Sequence, residues 1–534
     1  MAWNPKIPLL RDVRSYRVGA TDAEDAMSDG KCGLGLALKV RPNTKPDTGD
    51  WSKRKGPFTL DSFAEALKRV NWRVQRGTDL WTAVGLEKAR LSAMHNGLRL
   101  FLEHALDAYF EYHEARQEQL GPLQLIDTWV VVEEKSNSAL SAWGALYESP
   151  HGNREFRRFR FDTARSAVTP WAHIGARVAA KAAGRYPVRR IWITEVGLRN
   201  GIEHHVLSGI TAEDAEDLYE RFGRDAAITA TAGEDPTPGP GCSGCKITGA
   251  CTALIRAPGF LGVDLPGSWT RSVSASDLEQ YEQCPSRWYM QREIHLPHDI
   301  EDSAPLLRGQ AVHEVLALVH ARGCACNMND FPPPDGGPLV FADRVIDPAA
   351  YAIAYPYLVA HIASCQHQSE LEVIAAERTI YCYDPDADAV IATKADALWR
   401  RGDALVLREI KTVERDVDTT ADMIFGRYLA VAWGLGVLAS GMASHFGARR
   451  GAVQLEIVSP TRSQVFVYST DDIDLMKMAR GRIRRLADKW LYDTTWEPNP
   501  NAHCGTCPVR RWCSVRDDWS NRYAVNAGAG LPPF

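Results

Sequence analysis

The pattern of hydrophobic and polar positions in the second half of the chain changes repeatedly between a helical period and a strand period. The segment 274–277 is a helix N-cap signal. Helical periodicity predicts a run that ends near residue 289 and further helices over 307–320, 351–364 and 423–443. Runs rich in β-branched residues predict strands over 371–382, 390–400, 404–411, 451–459 and 464–468.

The first half shows fewer strand signals, which fall at residues 141–147, 154–162, 188–196 and 202–207. Proline and glycine are concentrated in two loops, 232–241 and 257–268. We interpret the second loop as the linker between two halves. The sequence therefore predicts two domains, 1–265 and 266–534.

Composition agrees with two large hydrophobic cores, since the chain has 534 residues, 45% hydrophobic content and a mean hydropathy of −0.27. No apolar run is long enough to predict a membrane span, so we expect a soluble protein without a membrane partner. A reducing, cytoplasmic location is expected. A net charge of −5 gives no overall attraction to nucleic acid, so any such binding needs local basic surface.

Cysteine spacing gives the first chemical signal, because one spacing occurs twice. In each half a lone cysteine is followed, after 210 or 220 residues, by a C-x2-C-x5-C trio. Four thiolates form a site for zinc or an iron–sulfur cluster, and the division into one and three favours [4Fe-4S]. The predicted ligands are Cys32, Cys242, Cys245 and Cys251 in the first half and Cys284, Cys504, Cys507 and Cys513 in the second. The other four, which lack this spacing, are predicted to be ordinary free cysteines: Cys324, Cys326, Cys365 and Cys382.

A second candidate site lies on two neighbouring predicted strands. Asp396 is on the first strand, and Glu409 and Lys411 end the next one. Glu409 and Lys411 are two residues apart, so they point to the same face, and a hairpin register can bring Asp396 beside them. Two converging carboxylates bind Mg²⁺ or Mn²⁺, and a nearby lysine can orient water or stabilise phosphate charge. With these acids, His313 becomes a candidate third ligand.

The order of these residues along the chain resembles that of the PD-(D/E)XK nucleases of the RecB type that carry an iron–sulfur clamp. That group includes the AddB nuclease domain and the CRISPR-associated iron–sulfur exonucleases. The residues that carry the resemblance are Cys284, His313, Asp396, Glu409, Lys411, Cys504, Cys507 and Cys513. The resemblance covers about residues 270–515. It implies an α/β, restriction-endonuclease-like fold with a mixed central sheet flanked by helices and a four-cysteine cluster. It also implies that His313, Asp396 and Glu409 bind the metal ion, that Lys411 is catalytic, and that the cluster holds the domain ends together around DNA.

The stretch after the E-x-K motif departs from this family. The family usually carries a Q-x3-Y motif there, whereas residues 426–433 contain no glutamine. Tyr428 or Trp433 is the candidate replacement for the aromatic residue, and Arg427 is the candidate phosphate contact.

The first half resembles a degenerate second copy, which implies tandem nuclease-like domains. In our sequence alignment Gly144 falls where Asp396 lies, and Arg157 falls where Glu409 lies, so no catalytic metal is expected there. Arg157, Arg158 and Arg160 interleave with phenylalanines and are predicted to bind DNA phosphates.

Two functions follow from these patterns. The first is a metal-dependent DNA nuclease, with exonuclease action favoured, that works in DNA repair, recombination, phage defence or a mobile-element context. The alternative is a non-catalytic iron–sulfur DNA-binding scaffold in a helicase–nuclease or integration complex. The chain has no G-x4-G-K-[ST] phosphate loop, so a helicase, ATPase or integrase-type protein is the expected partner.

Overall fold

The structure is a computed structural model that describes residues 16–41, 58–134, 138–299, 304–322, 325–334, 337, 339–341, 344–365 and 372–516. The elements up to residue 232 are β1 (Tyr16–Gly19), α1 (Ala20–Ala26), α2 (Gly33–Lys39), α3 (Thr59–Val74), α4 (Leu80–Arg90), α5 (Asn96–Leu120), β2 (Gln124–Glu133), β3 (Ser138–Glu148), β4 (Asn153–Arg160), α6 (Pro170–Lys181), β5 (Arg190–Gly197), β6 (Glu203–Ile210), α7 (Ala212–Leu218) and α8 (Arg224–Ala232).

The later elements are β7 (Ile255–Arg256), β8 (Arg271–Val273), α9 (Ala275–Gln283), α10 (Pro285–Trp288), α11 (Ala304–His320), β9 (Leu339–Phe341), β10 (Arg344–Ile346), α12 (Pro348–Cys365), β11 (Glu372–Asp384), β12 (Ala389–Arg401), β13 (Ala404–Thr412), α13 (Ala421–Arg427), α14 (Leu429–Val437), α15 (Ala443–His445), β14 (Arg450–Val458), β15 (Ser463–Ser469) and α16 (Ile473–Tyr492).

The chain divides into two compact units. Of the described residues, unit 1 contains those within Met1–Ala253, Cys284–Asp299 and Thr495–Arg522, and unit 2 contains those within Leu254–Gln283 and Ile300–Thr494. The two later segments of unit 1 come from the part of the sequence that we predicted to be the second domain. As a result, both predicted four-cysteine sets lie in unit 1.

Unit 1 contains a mixed six-stranded sheet in the order β1-β3-β4-β5-β6, with β2 also paired to β3. The β2–β3, β3–β4 and β5–β6 pairs are antiparallel, whereas β1–β3 and β4–β5 are parallel. Helix α6 connects the parallel strands β4 and β5, as a crossover between parallel strands requires. It begins with Pro170, a residue suited to the first helical turn, and buries Trp171, Ile174 and Val178 in the core.

Unit 2 contains a mixed seven-stranded sheet in the order β15-β14-β13-β12-β11-β7, with β8 paired to β12. The strands β11 to β15 repeat the directions of β2 to β6, because only the β13–β14 pair among them is parallel. The central strand β13 buries Leu405, Leu407 and Ile410. Helices α11 and α12 pack against this sheet around Val315, Leu358 and Ile410.

The predicted helix over 423–443 is interrupted. Tyr428 is extended, with φ −103° and ψ 112°, and it separates α13 from α14. The interruption has a local partner, because the amide of Leu429 donates to Glu279 Oε1 at 2.7 Å.

Among the described residues no single helix is long and apolar enough to cross a membrane. One helix pair, 421–427 with 429–445, meets the length and composition criteria together, but the pair is bent by 87°.

Candidate active site and cysteine groups

The strand register brings Asp396, Glu409 and Lys411 together at the centre of the unit 2 sheet. Ala397 pairs with Arg408, so Asp396 and Glu409 are the next opposed positions on β12 and β13. The Nζ of Lys411 donates to Glu409 Oε1 at 2.5 Å. The amide of Ile410 donates to Asp396 Oδ2 at 2.6 Å. This bond leaves Oδ1, the other carboxylate oxygen, available as a ligand.

Helix α11 adds His313 to these strands. Its Nδ1 lies 3.4 Å from Asp396 Oδ1. The four residues predicted for catalysis therefore surround one region of the structure. His313, Asp396 and Glu377 offer ligand atoms that all lie within 4.8 Å of one another, which is the spacing of ligands around one metal ion.

Glu377 is the site residue that the sequence interpretation missed. It lies on β11 between the residues that pair with Ala397 and Ala395, and so it faces Asp396 across the β11–β12 pair. Its Oε1 is 2.7 Å from His313 Nδ1. Its φ of 45° lies in the left-handed region, which is uncommon for glutamate and is found preferentially where function maintains it.

The electrostatics of this region are those of crowded carboxylates. Burial, together with Glu409 and Glu377, raises the pKa of Asp396 to about 7. Burial by itself would lower the pKa of His313, but Glu377 and Asp396 raise it above its usual value. A divalent cation among these ligands would favour the ionised form of Asp396. The oxygen-rich donor set fits Mg²⁺ or Mn²⁺.

A further acid, Glu279 on α9, lies on the lysine side of the site. Burial raises its pKa, and Lys411 and Glu409 interact with it electrostatically. Burial alone would lower the pKa of Lys411, but Glu409, Asp396 and Glu279 raise it well above its usual value. Lys411 is therefore a cation at neutral pH, and it cannot act there as a free base.

Residues 272–514 match the family model of the PD-(D/E)XK nuclease superfamily. This match includes all four predicted catalytic residues and Glu377, and members of this superfamily are typically nucleases. Among solved structures, a similar chain is titled "Crystal structure of SSO0001". It is 16% identical, and the match covers 46% of this chain and 86% of that chain with a TM-score of 0.24. No curated protein matches the chain.

The two predicted cysteine sets share one hydrogen-bond pattern. Cys32 and Cys284 each cap a short helix and accept an amide hydrogen bond from the residue three positions later. Each also accepts a second amide hydrogen bond from a residue shortly before its trio. The donor is Thr237 for Cys32 and Asn499 for Cys284, each at 3.4 Å.

The first cysteine of each trio completes the correspondence. Cys242 accepts from the amide of Gly239, and Cys504 accepts from the amide of Asn501. Within each set the thiols lie within electrostatic reach of one another. Burial raises the pKa of Cys245 to about 12 and that of Cys507 to about 11. Amide donors to sulfur are a feature that tunes iron–sulfur centres, so both sets fit a thiolate-bound cluster.

The arginine run of β4 lies inside unit 1. Arg157 is 0% exposed, and it pairs with Glu155 at 2.7 Å. Arg158 pairs with Glu24, and both it and Arg160 pair with Glu195. The predicted phosphate contact by Arg157 is not supported by this placement, because its charge is already neutralised in the protein interior.

The strand register differs by one residue from the sequence alignment of the two halves. Ala145 pairs with Arg157, so Gly144 opposes Arg158 as Asp396 opposes Glu409. A side chain at Gly144 would meet the backbone oxygen of Arg157 at 2.3 Å. An acid therefore cannot replace Gly144 without moving the strands.

Arg427 and Tyr428, the remaining predicted DNA contacts, lie at the break between α13 and α14. Arg427 is exposed and lies over the Tyr428 ring at 5.4 Å from its centroid. The next residue, Leu429, is bonded to Glu279, which interacts with Lys411. This placement keeps both residues available as contacts beside the site.

We expect Glu377→Gln to raise the Mn²⁺ concentration that gives half-maximal DNA cleavage by about tenfold or more, since it removes one anionic ligand. The measurement is cleavage rate against Mn²⁺ concentration. Glu372→Gln is the matched control, because this carboxylate lies on the same strand but is exposed and paired with Arg400. An equal response of the two variants would show that Glu377 takes no part in metal binding.

Proposed function

We propose that this protein is a divalent-metal-dependent DNA nuclease of the RecB/AddB type that acts as an exonuclease. The observation that carries the proposal is the convergence of His313, Glu377 and Asp396, with Glu409 on the adjacent strand, inside the region that matches the nuclease family. We propose that this activity serves DNA repair, recombination or defence against phages or mobile elements.

The residues have distinct roles in this proposal. His313, Glu377, Asp396 and Glu409 would hold the cation, which when bound would lower the pKa of a water molecule and neutralise charge on the phosphate. Lys411 is fixed by Glu409 and presents a positive charge that orients water or stabilises the phosphate oxygens. The Ile410 amide fixes the orientation of Asp396.

The unit 1 sheet is proposed to be a degenerate copy of the unit 2 sheet. The support is the same strand order and the same directions from β2 to β6 and from β11 to β15. Arg158 and Arg160 stand where Glu409 and Lys411 stand in unit 2, and Glu195 is their counter-charge. A cation site of the unit 2 kind is therefore not expected there.

Each four-cysteine set is proposed to hold a [4Fe-4S] cluster. The long spacing and the shared amide-to-sulfur bonds support this assignment. A motor ATPase or integrase-type protein remains the proposed partner, because the given sequence contains no G-x4-G-K-[ST] phosphate loop of its own.

The proposed function is tested by incubating anaerobically purified protein with linear DNA labelled at either end and with Mg²⁺ or Mn²⁺. We expect cleavage that stops with EDTA and that releases the terminal label as short products. Internal fragments without terminal release would change the assignment to endonuclease. Metal-dependent DNA binding without any cleavage would favour the non-catalytic scaffold.

Iron content tests the clusters. We expect brown protein with absorbance near about 400 nm and about eight irons per chain, and a loss of about four irons in Cys245→Ala or in Cys507→Ala. The matched control is Cys382→Ala, a buried thiol outside both sets that should keep all the iron. Colourless protein with stoichiometric zinc in both sets would contradict the iron assignment.

A further inference from the structure

Unit 2 contains a second metal-ligand group, separate from the catalytic acids. It consists of His320 at the end of α11, Cys326 in the following loop, and His361 and Cys365 on α12. All four ligand atoms lie within 4.8 Å of one another, and all four residues are buried. The sequence interpretation treated Cys326 and Cys365 as ordinary free cysteines, and Cys324 lies outside the described residues.

The distances within the group are those of ligands around a single tetrahedral ion. With Zn–N of about 2.0–2.1 Å and Zn–S of about 2.3 Å, a tetrahedron places two nitrogens about 3.3 Å apart and a nitrogen and a sulfur about 3.6 Å apart. His320 Nε2 and His361 Nε2 are 3.2 Å apart. Cys365 Sγ and His320 Nε2 are 3.7 Å apart.

The surroundings of His361 add an independent feature of metal sites. Its Nδ1 lies 2.8 Å from Glu456 Oε1, and a carboxylate can only accept, so Nδ1 carries the proton and Nε2 offers its lone pair to the group. Glu456 is itself fixed by Ser463 Oγ at 2.7 Å and by Arg408 Nη1 at 3.0 Å. A carboxylate that orients a ligating histidine is a recurring outer partner of zinc sites.

We propose that His320, Cys326, His361 and Cys365 bind one structural zinc ion. Two sulfurs and two imidazole nitrogens in a closed, buried set match structural zinc, whereas a catalytic zinc keeps a position open to water. The sequence spacing of two of these residues also agrees with a shared metal site. His361 and Cys365 are four residues apart on one helix and so share a face. Binding releases the thiol protons of the two cysteines.

The position of the zinc ion links it to the catalytic site without making it part of the chemistry. His313 and His320 are seven residues apart on α11, two helical turns, and therefore lie on the same side of that helix. Zinc joins the end of α11 to α12, and Glu456 anchors His361 to β14. The ion therefore fixes the orientation in which α11 presents His313 to Asp396.

The test measures metal content, and it does not depend on the nuclease proposal. We expect anaerobically purified full-length protein to hold one zinc per chain in addition to its iron. The double variant Cys326→Ser, Cys365→Ser should lose that zinc and keep its iron. Cys382→Ser, the same change at another buried thiol of unit 2, should keep both.

X-ray absorption at the zinc edge of the unaltered protein provides a second measurement that requires no variant to fold. We expect two sulfurs at about 2.3 Å and two nitrogens at about 2.0–2.1 Å. Zinc with sulfur ligands alone would place the ion in one of the four-cysteine sets and overturn the proposal. Equal zinc in the unaltered protein and the double variant would show that the four side chains form only a hydrogen-bonded group.

Discussion

Lys411→Ala should lower the rate of DNA cleavage at saturating DNA and Mn²⁺ by about 10²–10⁴-fold, the usual effect of removing a positioned group that acts on the reacting atoms. Lys411 is held by Glu409 and interacts with Asp396 and Glu279, so its charge is concentrated at the site. Lys477→Ala, an exposed lysine on α16, is the matched control. Cleavage by Lys411→Ala at the unaltered rate would contradict its catalytic role.

Asp396→Asn should abolish cleavage while preserving the fold. Asparagine keeps an oxygen that can accept the Ile410 amide, but it removes the charge that binds the cation. The pKa of Asp396 is raised from 3.8 to about 7, so this carboxyl group lowers the stability of the folded protein progressively as the pH rises between these two values, and the full loss is present above pH 7. Asp396→Asn should therefore unfold at a higher temperature than the unaltered protein at pH 8, and this difference should vanish near pH 4. A lower unfolding temperature at pH 8 would show that the carboxylate has a structural role.

Arg157→Ala should destabilise unit 1 by about 3 kcal/mol or more, because it breaks a fully buried ion pair and leaves Arg116 as the remaining cation beside Glu155. Arg157 and Glu155 are both 0% exposed, and Arg157 also contacts His113 Nδ1 at 2.9 Å and Tyr109 Oη at 3.2 Å. Burial would raise the pKa of Glu155, but Arg157 and Arg116 lower it to about 2, so the carboxylate is ionised at neutral pH. The measurement is the unfolding midpoint in urea or on heating.

Two variants separate structural from DNA-binding roles for this residue. Arg165→Ala removes an exposed arginine a few residues further along and should change stability by less than about 0.5 kcal/mol. Arg157→Lys keeps a positive charge beside Glu155 and should lose less stability than Arg157→Ala. An Arg157→Ala protein with unchanged unfolding but weaker DNA binding would restore the phosphate-contact interpretation.

The sequence predicted most of unit 2 because local patterns coincide with the tertiary structure there. The predicted strands 390–400 and 404–411 correspond to β12 and β13, and the two-residue spacing of Glu409 and Lys411 defines one face. Glu377 was not predicted, because its role depends on the β11–β12 register and on a left-handed backbone conformation. Neither the strand register nor the backbone conformation produces a recognisable pattern in the local sequence.

The histidine–cysteine group and the arginine run show the same limit of sequence-based prediction. The i, i+4 spacing of His361 and Cys365 is visible in the sequence, but their approach to His320 depends on how α11 and α12 pack. Arginines alternating with phenylalanines are as compatible with a buried ion-pair network as with a DNA-binding strand. Burial of Arg157 could be known only from its long-range partners, which include Tyr109 on α5.

The central claim is that His313, Glu377, Asp396 and Glu409 form the cation site on which DNA cleavage depends. Its most direct test is a Mn²⁺ titration followed by electron paramagnetic resonance, with cleavage measured at the same Mn²⁺ concentrations. We predict one bound Mn²⁺ or more per chain, cleavage that rises with occupancy, and loss of this binding in the double variant Asp396→Asn, Glu409→Gln. Equal Mn²⁺ binding by the double variant and the unaltered protein would contradict the claim.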